Sequence, residues 1–147
     1  MNAPTILIAE DEEIDVILLK RAFLAAGVPH PVQVTRDGRE ALDYLESLHN
    51  HDVGAPWPIL FLLDINMPRC NGLEVLERLR DSSFSRVIPI IVFSSSNHPR
   101  DVEQAYRLGA NAYLVKPTST IQRNEMIRVI HAFWLTLNQV PMLGVAS

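Results

Sequence analysis

The chain has 147 residues, 48% of them hydrophobic, enough for one domain with a sizeable core. A formal charge of −4 leaves no basic footprint for nucleic acid, and the single cysteine, Cys70, excludes an internal disulfide and suits a reducing compartment. No stretch approaches the roughly 20 apolar residues of a membrane span, and the N-terminus lacks a basic, signal-like region. The expectation is a cytoplasmic, single-domain protein. In chain order, Thr5–Ala9 (TILIA) reads as a strand, and Asp11–Ala26 as a helix carrying Ile14, Ile17, Leu18, Phe23 and Leu24 and ended by Gly27. Val32–Thr35 is a second strand, followed by a helix over Gly38–His49 with Ala41, Leu42, Leu45 and Leu48 at helical spacing. Ile59–Leu63, Ile88–Phe93 and Ala112–Val115 are further strands; Leu73–Arg80, Arg100–Leu108 and Thr120–Asn138 are further helices.

Strand and helix alternate five times, which predicts an α/β fold with a parallel sheet covered by helices on both faces. The right-handed crossover rule leaves few topologies, and the flavodoxin-like, doubly wound order 2-1-3-4-5 leads. In such sheets ligands sit beyond the carboxyl ends of the strands. Those ends carry Glu10-Asp11, then Asp64-Ile65-Asn66, then Ser94, then Lys116-Pro117. Three carboxylates gathered on one edge repel: at about 4 Å a like-charged pair costs roughly 4 kcal/mol at an effective dielectric of 20. Either one takes a proton or a cation sits among them, and Mg²⁺ suits an all-oxygen donor set. One carboxylate is then placed to attack a phosphoryl group, with Ser94 as hydrogen-bond donor and Lys116 as counter-charge.

These fragments, in this order and spacing, resemble the receiver domain of two-component response regulators. The resemblance runs from Ile6 to about Leu137. It rests on ILIAEDE (Ile6–Glu12), FLLDINMP (Phe61–Pro68), Gly72 eight residues after Asp64, IIVFS (Ile90–Ser94) and GANAYLVKP (Gly109–Pro117). It implies that Asp64 is the phosphoacceptor for a sensor histidine kinase, and that Asp11, Asp64, the backbone carbonyl of Asn66 and, through water, Glu10 hold Mg²⁺. It further implies Ser94 as switch hydroxyl, Tyr113 as switch aromatic, Lys116 as phosphoryl contact and a cis bond from Lys116 to Pro117. Asn66 and Ser96 fall at positions that tune dephosphorylation in the family. The output surface would be the face of the fourth helix, fifth strand and fifth helix. The segment His49–Pro58 and the tail His131–Met142 further resemble the small regulators that partner phytochrome-type histidine kinases and tend to dimerise.

Plainer readings stand beside these. Glu12 and Glu13 read as a solvated helix start. His49 and His51 lack the carboxylate or thiol support of a metal site, and no histidine resembles a phosphodonor. Cys70 reads as incidental. The last helix carries a broad apolar face, Met126, Ile127, Val129, Ile130, Phe133, Trp134 and Leu137. This reads either as a deeply packed helix or as one that also buries a face in a homodimer, with Phe133 and Trp134 as anchors and Val140–Ser147 frayed or draped over the partner. Two rival functions remain: an aspartate-nucleophile phosphatase, which would need a second acid where Asn66 stands, and a docking module that takes no phosphate.

Overall fold

The computed structural model describes residues 4–51, 57–82 and 85–141. Five strands, β1 (Thr5–Ala9), β2 (Val32–Thr35), β3 (Pro58–Leu63), β4 (Ile90–Ser94) and β5 (Ala112–Val115), form one parallel sheet in the order 2-1-3-4-5. Five helices connect and cover them: α1 (Glu13–Ala25), α2 (Gly38–His51), α3 (Gly72–Asp81), α4 (Pro99–Arg107) and α5 (Thr120–Ala132). The flavodoxin-like α/β fold expected from the alternation is the one observed.

The sheet sorts its residues by the two-residue period of a strand. Leu7, Ala9, Phe61, Leu63, Ile90 and Val92 face α2, α3 and α4, packing with Ala41, Leu45, Val75, Leu76 and Ala105. Ile6, Ile8, Leu60, Leu62, Ile91 and Phe93 face the other way and pack with Leu19, Phe23, Ile127 and Ile130 of α1 and α5. β1, β3 and β4 are buried on both sides, so their sequences are apolar runs rather than alternations. Each such Leu or Ile contributes ~1.5–3 kcal/mol of burial.

Several element ends move from the sequence reading. α1 begins at Glu13 rather than Asp11, which leaves Glu10-Asp11-Glu12 in the strand-to-helix turn. β4 begins at Ile90 rather than Ile88, because Pro89 offers no N–H to a central strand; its carbonyl accepts instead from Phe61 N at 2.9 Å. The last helix does not run on to Asn138 as regular α. It turns π-helical at Phe133–Leu137, closed by Asn138 N donating to the Phe133 carbonyl at 2.7 Å and Thr136 Oγ1 to the His131 carbonyl at 2.9 Å. The broad apolar face also divides. Ile127 and Ile130 are core residues, whereas Val129, Phe133 and Leu137 are exposed. Arg80, unremarked in the sequence, ties α3 to the strand starts through the carbonyls of Gly109, Arg86 and Ile88 and the side chain of Asn111.

Candidate phosphoacceptor site

The site is assembled by continuing the sheet one residue past each strand. Glu10 N donates to the Thr35 carbonyl at 3.0 Å, Asp64 N to the Ala9 carbonyl at 3.1 Å, and Lys116 N to the Ser94 carbonyl at 2.8 Å. These bonds carry Glu10, Asp64, Ser94 and Lys116 to one edge with backbones already fixed. Glu10, Asp64 and Ser94 are buried, whereas Asp11 and Asn66 are exposed at the rim.

Carboxylate oxygens of Glu10, Asp11 and Asp64 lie within 4.8 Å of one another. An all-oxygen cluster of this size fits a hard divalent cation and suits neither a thiolate-bound nor an imidazole-bound metal. Asn66 N donates to Asp64 Oδ1 at 3.4 Å, which keeps the Asn66 backbone beside that carboxylate. Ser94 Oγ accepts from Ser96 N at 3.2 Å, and Tyr113 Oη donates to the Ser96 carbonyl at 2.8 Å. Ser94 and Tyr113 are therefore joined through one loop. Tyr113 also packs on the α2–α3–α4 side of the core.

Lys116 Nζ ion-pairs with Glu10, with Asp15 at 2.9 Å and with Asp64 at 3.3 Å, and lies 5.8 Å from the centre of the Phe93 ring. Burial opposes the ammonium, but hydrogen bonds to Glu10 and Asp15 and the charge of Asp64 outweigh it and hold the Lys116 pKa above its usual value. Burial, reinforced by the negative charge of Asp64, pushes Glu10 up to about 8 against the pull of Lys116. The pocket thus holds more negative charge than one lysine neutralises.

The structure brings Glu10, Asp11, Asp64 and Lys116 together, with Ser94 at the end of the neighbouring strand β4 and only the backbone of Asn66 close to Asp64. It differs in one detail: the Lys116–Pro117 bond is trans, as are all described peptide bonds, the isomer an isolated X–Pro bond prefers. The Pro117 carbonyl accepts from buried Arg123 of α5 at 3.3 Å. Asp15 was missed by sequence reasoning. Its signal was position: four residues after Asp11, it stands in the first turn of α1 facing the same pocket. Phe133 and Trp134 lie apart from this edge, on the π-helical turn, with ring centres 5.1 Å apart in an edge-to-face pair. Of the two segments that suggested phytochrome partners, residues 52–56 and 142 lie outside the described residues, as do residues 142–147 of the tail expected to fray or drape over a partner.

A carboxylate at the tip of a central strand, flanked by two further acids and an ammonium, makes this edge the candidate functional site of a doubly wound α/β protein. The chain belongs to the response regulator receiver domain family, which matches residues 6–130. It is thus a receiver-domain response regulator of two-component systems.

Among curated relatives it is 31% identical to the response regulator Rcp1 of Synechocystis over 95% of each chain. It is 36% identical to the probable methanogenesis regulatory protein FilR2 of Methanothrix harundinacea, over 92% of this chain and 86% of that one. Among solved structures it superposes on the phosphorylated cyanobacterial phytochrome response regulator RcpA with a TM-score of 0.86 at 33% identity, covering 95% of this chain and 99% of RcpA. RPA3017, a response regulator in red light signaling of R. palustris, matches at 0.86 and 36% over the same shares. Rcp1 has been solved in a Mn²⁺-bound form, to which the TM-score is 0.83 at 30% identity.

Proposed function

We propose that Asp64 accepts a phosphoryl group from the phosphohistidine of a sensor histidine kinase in a Mg²⁺-dependent reaction. The observation that supports this most is the convergence of Asp64, Glu10, Asp11, Ser94 and Lys116 on one sheet edge. A carboxylate oxygen of Asp64 attacks phosphorus, the P–N bond to the imidazole breaks, and an acyl phosphate remains on Asp64. Glu10, Asp11, Asp64 and the Asn66 backbone carbonyl would hold Mg²⁺, which when bound supplies positive charge against the transferring oxygens. Lys116 leaves its Asp64 contact to pair with the phosphoryl group, and the Ser94 hydroxyl donates to it. Movement of Ser94 reaches Tyr113 through the Ser96 loop, biasing two states of the α4–β5–α5 face. The chain's own chemistry is confined to Asp64: Asn66 carries no proton for a leaving group, as an aspartate phosphatase would need there. The test is ¹⁹F NMR with beryllofluoride. Bound resonances should require Mg²⁺ and vanish in Asp64→Asn; resonances that survive the substitution would reject Asp64 as acceptor.

Glu10 gives the reaction a pH dependence. A divalent cation binds the deprotonated carboxylate, so the apparent Mg²⁺ affinity should fall about tenfold per pH unit below about 8, with close to one proton released near pH 6.5. Calorimetry in buffers of different ionisation enthalpy reads that proton directly. Binding heats independent of the buffer would contradict it.

The kinase is read as phytochrome-type, on the likeness to RcpA, and the site of action as the cytoplasm. The receiver core is read as about 5–137, with 138–147 as an extension. Output is read as protein–protein contact, not nucleic-acid or membrane binding. No described helix is long and apolar enough to cross a membrane. A second copy of the chain is the proposed cover for the exposed Val129, Phe133 and Leu137. Sedimentation at micromolar concentration should show a homodimer, and Phe133→Ala with Trp134→Ala should raise its dissociation constant at least about tenfold. A monomer at all concentrations, with and without beryllofluoride, would remove the dimer.

A further inference from the structure

Resting on the phosphoacceptor reading, we infer that Asp37 and Arg69 form a latch that holds the β3–α3 loop in its cation-binding shape. They are positioning residues, acting through the backbone that carries Asp64 and Asn66. The first observation is backbone strain. Arg69 has φ +65°, and it is the sole non-glycine residue with positive φ among those described. Such a conformation persists where surrounding structure enforces it.

The second observation is what holds this residue, whose turn is closed by Cys70 N donating to the Pro68 carbonyl at 2.7 Å. Arg69 Nε donates to Asp37 Oδ2 at 2.9 Å, and its Nη2 lies 2.7 Å from the same oxygen. Asp37 is buried although Arg69 is largely exposed. Asp37 is itself fixed, because its Oδ1 accepts from Glu40 N at 2.8 Å while Glu40 accepts from Arg36 N at 3.1 Å, a reciprocal cap on α2. The third observation is contact. A Cβ on Gly38 would lie 1.9 Å from the Cys70 carbonyl oxygen, so the first turn of α2 abuts the loop directly after Arg69. The loop is therefore gripped at Arg69 and braced at Cys70 by one helix start, three residues past Asn66. Neither Asp37 nor Arg69 belongs to the metal-binding or switch set.

Partners that orient ligands affect metal affinity although they touch no metal. Isothermal titration with Mg²⁺ should give a dissociation constant raised roughly tenfold in Arg69→Ala and in Asp37→Asn, a change that retains the α2 cap. The double variant should bind no worse than either single one. Arg69→Gly should recover folding stability over Arg69→Ala, since glycine accepts positive φ, yet should not recover Mg²⁺ affinity. At saturating Mg²⁺ the rate of phosphorylation by acetyl phosphate should return to within about twofold of wild type, separating positioning from chemistry. Wild-type Mg²⁺ affinity in both single variants, or additive losses in the double variant, would overturn the latch and leave the phosphoacceptor reading intact. A wild-type chain that binds no Mg²⁺ would overturn both.

Discussion

Lys116→Met is expected to lower the stability of the metal-free protein at pH 7.5 by roughly 3–5 kcal/mol, because it strands buried carboxylates without their counter-ion. Lys116 faces Glu10, Asp15 and Asp64, and its side chain is 13% exposed, so solvent screens the interaction little. The pH dependence has a definite sign. The folded pKa of Glu10 lies at about 8, above the ordinary 4.5. Its contribution to stability is therefore fully present below 4.5 and lost as pH rises through about 8. Lys116, with its pKa raised, stabilises the fold throughout the range below its ordinary 10.5 and loses that role only in strong alkali. That contribution is the same at pH 4.5 and 7.5, and Glu10 stays largely protonated over this range, so the urea midpoint of Lys116→Met should lie below wild type by a similar margin at both pH values. A midpoint equal to wild type at both would show that the packing of methionine replaces the ion pairs. Phosphorylation by acetyl phosphate at saturating Mg²⁺ should slow about 10²-fold, the typical cost of deleting one preorganised electrostatic group.

Gly72→Ala is the second large effect. A Cβ there would stand 2.3 Å from the Asp64 carbonyl oxygen and 2.8 Å from Ile65 Cα. Both obstacles are backbone, and Gly72 N is already committed to the Ile65 carbonyl at 2.9 Å, so no side-chain rotation relieves the clash. Overpacking of this kind costs typically 1–3 kcal/mol and can exceed it. The strain falls on the strand end that carries Asp64, so stability and Mg²⁺ affinity should drop together. A lowered urea midpoint with unchanged Mg²⁺ binding would show that the helix yields and Asp64 stays in place.

The sequence disclosed most where one residue served one purpose. Buried parallel strands require apolar runs, and TILIA, ILFLL and IIVF could be little else; the polar residue ending each run then marked the site edge. Less legible were features set by tertiary contact. In sequence Asp15 is indistinguishable from an ordinary first-turn acid, because its meaning depends on Lys116, 101 residues away. Arg80 is likewise indistinguishable from an exposed helix charge, because the carbonyls that receive it belong to segments up to 29 residues distant. The division of the last helix into core and exposed halves depends on which side α5 turns to the sheet. The π-helical turn depends on Thr136 bonding back to His131. Neither leaves a periodic trace. The strain at Arg69 was hidden because any residue type can be forced into positive φ by its neighbours.

Incubation of the protein with acetyl phosphate and Mg²⁺, read by intact mass beside Asp64→Asn and a chelator control, tests Asp64 as the phosphoacceptor. One phosphoryl adduct, about 80 Da, is expected on the wild-type chain and none in either control. An adduct that persists in Asp64→Asn, or none on the wild-type chain, would contradict this assignment.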